Sequence, residues 1–287
     1  MGLLDDLGKF GIKNLDASKL YETPEKAVKK NDTQEAKPVE FNEEDYIFWK
    51  KFECPICDSP INTLIVKSGR ARLIKMDKDL RPIYEGFEPI KYEPILCQCC
   101  GYSVMGRYFG PLTPSQKKAV MEGISTGYQG KPAENKPTIG YEEALNKITL
   151  ALASAMVKRG KASEKAYICL KGGWLCRSFK ESLDPDSEDY DIMVEELGKK
   201  EKEFLDNAYE GFVQARQSEG YPMGGMDETT LDYLLAALAT ERGEVDVASR
   251  MIASILQSPS AAARIKDKAR DLKEEIVQMI KDKKVQG

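Results

Sequence analysis

Histidine is absent from the 287-residue chain, which removes the commonest neutral-pH acid–base group and the commonest nitrogen ligand for a metal. Any catalytic reading must then rest on carboxylates, lysines or thiols, and a Cys2His2 metal site is excluded outright. Long apolar runs are also missing. The longest candidate, Ile148 to Val157, falls well short of the about 20 residues that span a bilayer. The opening segment is broken by Asp5, Asp6 and Lys9, and Asp6 stands where a myristoylation signal has Ser or Thr, so neither a lipid anchor nor a signal peptide is expected. Neither sign of charge dominates: 43 basic and 47 acidic side chains give a net charge of -4, and no general basic field exists to gather phosphates. No membrane partner is expected, and the expected location is the cytoplasm.

What is present begins with the cysteines. Seven are too few for a disulfide scaffold at this length, but four fall into two close pairs, Cys54-Pro55-Ile56-Cys57 and Cys97-Gln98-Cys99-Cys100. Two intervening residues make a tight knuckle that brings both sulfurs to one metal while backbone N–H groups point at the thiolates. Gly101 follows the second pair, where a left-handed backbone is common. With no histidine available, Cys54, Cys57, Cys97 and Cys100 are expected to hold one structural Zn2+ in an all-thiolate sphere. An iron–sulfur cluster or two unconnected pairs are the alternatives. The 39 residues between Cys57 and Cys97 leave room for a stranded insertion. Cys99, adjacent to Cys100, reads as a bystander, and Cys169 and Cys176 read as small buried hydrophobes.

Element patterns divide the chain. Leu3, Leu4, Leu7, Phe10 and Leu15 have roughly helical spacing, although Gly8 and Gly11 each cost about 1 kcal/mol in a helix interior. Residues 22–40 are almost without apolar side chains and form a tether, so 1–40 is expected as a short helix plus flexible tether. Residues 41–112 show short alternations around Thr63, Ile65 and Ala71 to Ile74, punctuated by Pro82, Gly86, Pro89 and Pro94, and read as a zinc-ribbon-like module. Thr113 is placed to cap a connecting helix, after which 123–137 link onward, so 113–140 is connecting helix and linker. From 141 to 287 the period is helical: Ala144, Ile148, Ala151, Leu152 and Ala155; then Ala166, Tyr167, Leu170, Trp174 and Leu175; then Phe204, Leu205, Ala208, Phe212 and Ala215; then helices over about 229–241, 245–256 and 260–283. Around Gly243, Leu235, Ala236, Ala239, Ala248, Ile252 and Ile255 fit a tetratricopeptide-like pair. The fold class is α+β: a small strand-rich four-cysteine module followed by an all-α tetratricopeptide-like domain.

Two further segments invite function. Lys67, Arg70, Arg72, Lys75, Lys78 and Arg81 make a basic stretch, which reads either as a nucleic-acid contact or as a network paired internally with Asp77, Asp79 and Glu85 that locks the insertion to the knuckles. Gly220 to Gly225 form a turn-rich break in which Tyr221, Met223 and Met226 offer an interaction edge, with Asp227 capping the next helix.

The segments Phe52 to Cys57, Ser68-Gly69-Arg70, Asp79 to Gly86, Lys91-Tyr92 and Cys97 to Tyr102 carry a resemblance to a known family. With Ala162 to Glu164, Ala166 to Leu170, Trp174-Leu175, Gly225 to Glu228 and Arg264 to Asp267, the chain from about residue 50 to 280 resembles the bacterial family of domain of unknown function 2225. It departs from that pattern at Cys99, where a non-cysteine is usual. The resemblance supports a zinc-ribbon-like module with tetratricopeptide-like helices and implies no activity. The leading expectation is a zinc-stabilised adaptor that binds another protein through its helical part. Nucleic-acid binding through the basic segment and a thiol- or metal-dependent enzyme using Cys99 are the alternatives.

Overall fold

The computed structural model describes residues 41–130 and 136–286, so the expected helix over 3–15 and tether over 22–40 lie outside the described residues. Three antiparallel hairpins come first: β1 (Ile47–Glu53) with β2 (Pro60–Val66), β3 (Leu73–Met76) with β4 (Pro82–Tyr84), and β5 (Pro94–Leu96) with β6 (Ser103–Met105). Pro60, Pro82 and Pro94 each open a strand, a position where a missing N–H costs no ladder bond. The cysteine pairs lie at the tips of the first and third hairpins. The second hairpin is the insertion between them.

Seven helices follow among the described residues: α1 (Pro114–Val120), α2 (Tyr141–Val157), α3 (Ala162–Glu181), α4 (Tyr190–Ser218), α5 (Glu228–Glu241), α6 (Val245–Gln257) and α7 (Ala263–Gln286). Thr113 caps α1 in a reciprocal capping box with Gln116, and Pro114 sits in its first turn. Gly243, at φ +78°, turns α5 into α6, a backbone angle glycine adopts without strain. Consecutive helices pack side by side, with α3 against both α2 and α4, α5 against α6, and α6 against α7.

Helix α3 is buried nearly all round. Two glycines in its middle cost helix stability, and packing accounts for both: a β-carbon on Gly172 would lie 2.8 Å from the Phe204 ring, and one on Gly173 would lie 2.6 Å from Leu205. Close approach of α3 and α4 therefore requires that both side chains be absent. Its other sides meet α2 and the turns of the strand region, through residues such as Asp79 and Glu93. One hydrophobic core runs from Ile47, Leu64, Leu80, Ile90 and Met105 in the strand region into Ile148, Ile168, Leu170, Phe212 and Leu235 of the helices.

The insertion is fastened to α3 by charge. Asp79, fully buried, accepts from the Trp174 indole N–H at 2.9 Å and pairs with Arg177 at 3.0 Å. Arg81, 2% exposed, donates through Nε to Asp77 at 2.6 Å, through Nη1 to Ser178 at 2.9 Å and through Nη2 to Glu181 at 2.6 Å. Ser178 in turn donates to the buried Glu88 at 2.5 Å. An internal network was one expected reading of the basic stretch, but its anchor is α3 rather than the knuckles. The reason is spatial: the partners are about a hundred residues away in sequence and one helical face supplies Trp174, Arg177, Ser178 and Glu181.

Removing one member of such a network strands the others in low dielectric. Asp79→Ala is expected to lower the unfolding free energy in urea by about 3–5 kcal/mol, whereas Arg72→Ala, which breaks an exposed 3.3 Å pair with Glu85, should cost under about 1 kcal/mol. Glu241 borders the same network. Burial, then repulsion by Asp79, raises its carboxyl from 4.5 to about 7 against the attraction of Arg177. A raised carboxyl favours the protonated folded form, so its stabilising contribution is complete below about pH 4.5 and is lost as pH rises through about 7. Glu241→Gln should flatten the stability profile across that window, modestly because the side chain is 46% exposed and water screens it.

Candidate metal centre

The two knuckles are built alike. In the first, Cys54 N–H donates to Ser59 carbonyl at 3.0 Å and Asp58 N–H to Cys54 carbonyl at 3.0 Å; in the second, Cys97 N–H donates to Tyr102 carbonyl at 2.8 Å and Gly101 N–H to Cys97 carbonyl at 2.9 Å. The residue after each second cysteine is left-handed, Asp58 at φ 57° and Gly101 at φ 75°. Glycine marked the second of these positions in the sequence. Asp58 was the missed equivalent, and its signal is that aspartate tolerates this region better than most residues. Gly101 has a second constraint, since a β-carbon there would lie 2.4 Å from the Tyr128 ring.

Hairpin geometry then brings the knuckles face to face. Strand register pairs Glu53 with Pro60 and Leu96 with Ser103, so each cysteine pair is carried on a six-residue tip. The four predicted sulfurs, Cys54, Cys57, Cys97 and Cys100, all lie within 4.8 Å of one another. Across the knuckles, Cys54 Sγ is 3.6 Å from Cys100 Sγ and Cys57 Sγ is 3.6 Å from Cys97 Sγ. Cys54, Cys97 and Cys100 are buried and Cys57 is half-buried. Ile56 N–H points at Cys54 Sγ at 3.4 Å, the kind of donor that steadies a thiolate.

So close together, the thiols cannot titrate independently. Hydrogen bonding from Cys100, then from Cys54, draws Cys97 far below the usual thiol range, while its hydrogen bond with Cys54, then with Cys97, pushes Cys100 up. A cluster that concentrates negative charge on buried sulfur is one that a cation can neutralise. These four residues could therefore hold a metal ion, and their surroundings are suited to a fixed site. Ile56, Ile61, Ile95, Tyr102, Val104 and Val120 pack around the sulfurs in a small core of their own.

The other sequence candidates fall elsewhere. Cys99 is exposed beside the sphere, and Cys169 and Cys176 are buried in α3, where burial pushes each thiol up to about 12. Met223 is buried in the main core and Met226 packs partly against it, while Tyr221 remains 39% exposed. The tight turn between them is closed by Met223 N–H to Met226 carbonyl at 3.0 Å and the reverse bond at 2.9 Å. Asp227 accepts from Thr230 N–H at 2.8 Å as the cap of α5, and that bond holds its carboxyl below the ordinary value.

Because a metal would tie two hairpins that are distant in sequence, Cys54→Ala should abolish metal uptake and loosen the strand region in hydrogen exchange. Cys99→Ser should leave metal stoichiometry unchanged, and Cys169→Ala should leave the front module's exchange unchanged; metal analysis and exchange mass spectrometry check all three.

Comparison with curated proteins gives no match, and comparison with solved structures gives none either. The family model described as an uncharacterized protein conserved in bacteria, DUF2225, matches residues 47–276. That span takes in both knuckles, the insertion and the helices as far as α7, and the chain belongs to this family.

Proposed function

We propose that the protein is a cytoplasmic interaction adaptor whose strand region is a zinc-ribbon-like module stabilised by one zinc ion. The observation that carries this reading is the closed sphere of four mutually close, largely buried sulfurs. Four thiolates at about 2.3 Å from a zinc ion stand roughly 3.8 Å apart, close to the 3.6 Å separations across the knuckles. Such a sphere leaves no position for a water or substrate, so the ion's role is structural. Its binding energy is then folding energy for a strand region made of three short hairpins.

The helices supply the interaction surface in this reading. Ala236, Ala239 and Ala248 are fully buried between α5 and α6, which supports a tetratricopeptide-like pair that meets closely through small residues. Charge in the basic stretch favours the adaptor over nucleic acid. Arg72 pairs with Glu85, Lys78 with Glu275 at 2.6 Å, and Arg81 is buried. A thiol enzyme is disfavoured because Cys99 has no hydrogen-bonded base among the described residues and the chain has no histidine to supply one.

Purified protein should contain one zinc per chain by plasma emission analysis; no zinc, or iron with visible charge-transfer bands, would sink the metal reading. Capture from the source cytosol should return a specific protein partner and should fall with Tyr221→Ala at unchanged melting temperature. Met223→Ala is a stability variant instead, expected to cost about 2–5 kcal/mol as a buried methionine truncation.

A further inference from the structure

A cleft of about 210 Å3 lies between β4 with the turn that follows it, the start of α2 and the end of α3. That volume is below the about 300–1,000 Å3 of sites for drug-sized ligands, and it suits a single short chain. Glu88 and Glu181 both line it.

Glu88 carries an unbalanced charge. Three carboxyl side chains among the described residues are more than nine-tenths buried, namely Asp79, Glu88 and Glu164. Asp79 pairs with Arg177 at 3.0 Å and Glu164 with Lys158 at 2.6 Å, whereas Glu88 has no ion-pair partner among the described residues. Its hydrogen bonds come from neutral donors, the Ile90 N–H at 3.0 Å and the Ser178 hydroxyl at 2.5 Å. Lys171 and Arg81, whose charges reach it, are committed to other carboxylates: Lys171 to Glu93, and Arg81 to Asp77 and Glu181. Burial therefore holds the Glu88 carboxyl above the ordinary range, against the pull of those hydrogen bonds and charges. A buried carboxyl without a counter-ion, beside an open cleft, is a place where a cation gains more than it would at the surface.

The rest of the lining selects among cations. The Tyr141 ring is already engaged, stacked on Phe179 at 5.0 Å between centroids and with Lys91 Nζ at 5.2 Å from its centre. Phe87 is likewise packed against Tyr46 at 5.2 Å. No free aromatic box is left for a quaternary ammonium. What the cleft offers is oxygen, from Glu88, from Glu181 with its side chain 56% exposed, and from the Ser182 hydroxyl. A primary ammonium carries three donors on one compact nitrogen and suits acceptors that arrive from several directions. Half-buried Ile83 and Tyr84 supply a wall for methylenes. An anion would instead meet two carboxyl groups and a guanidinium already shared between two carboxylates.

We propose that this cleft binds an alkylammonium group, with its nitrogen against Glu88 and Glu181 and its methylenes along Ile83 and Tyr84. The group is either the lysine side chain of a partner or a free aliphatic diamine. The site does not depend on the adaptor reading, because the cleft and its unpaired carboxyl are present whatever the helices bind.

The test is calorimetric titration of the full-length protein at low salt with two probes, Nα-acetyl-lysine N-methylamide and butane-1,4-diamine. Saturable binding at one site per chain is expected, and whichever probe binds tighter identifies the source of the amine. Acetylation of the probe's side-chain nitrogen should abolish binding. Glu88→Gln keeps an oxygen for the Ile90 N–H but removes the charge, so affinity should fall at least tenfold at an unchanged or higher melting temperature. Glu181→Gln, at the exposed end of the cleft, should lower affinity at least threefold and serves as the second variant if Glu88→Gln fails to fold. No saturable binding of either amine, affinity unchanged by these substitutions, or tighter binding of butanoate than of both amines would overturn the proposal. Capture of a specific partner from cytosol is scored separately, so failure of the cleft leaves the adaptor reading to stand or fall on that result.

Discussion

Four sulfur atoms crowded within 4.8 Å impose the constraint on which the strand region depends. Thiolates at that separation would repel one another and are poorly solvated, so the cluster is one that could hold a cation. A cation held there would tie the tip of the first hairpin to the tip of the third and close a loop over the whole insertion. None of the three hairpins has enough area to stand alone. The insertion between the two tips places Asp79 and Arg81 against α3.

The fastening of the insertion to α3 is electrostatic. Buried ion pairs recover little net stability over a well-packed apolar contact, but they tolerate only one arrangement of partners. Asp79 must find Trp174 and Arg177, and Arg81 must find Asp77, Ser178 and Glu181. The network therefore sets the register between insertion and helix more than it adds to the depth of the fold. The aliphatic core shared by strands and helices supplies the bulk of the favourable burial.

The chain has no histidine, and its densest group of thiols is the cluster of largely buried sulfurs at the hairpin tips. Within the basic stretch, Arg72, Lys78 and Arg81 are paired with carboxylates, and of these Arg81 alone is buried.

The sequence by itself picked out the four cysteines that come together, because two-residue spacing between cysteines is local and permits few geometries. It also marked most helices, since apolar periodicity needs no knowledge of the partner: α5 and α6 were expected over 229–241 and 245–256 and occupy Glu228–Glu241 and Val245–Gln257. Asp227 as a cap and Gly243 as a turn were legible for the same reason. Strand β1 was less legible, because its burial does not alternate cleanly. Helix α4 runs from Tyr190, well before the apolar face that announced it, because its first turns are mostly exposed. Only the tertiary structure decided that Gly172 and Gly173 belong inside a helix, that Met223 is core while Tyr221 is surface, and that the basic stretch answers to α3. Those outcomes depend on which residues distant in the chain arrive as neighbours, and burial, pairing and close approach have no meaning until they do.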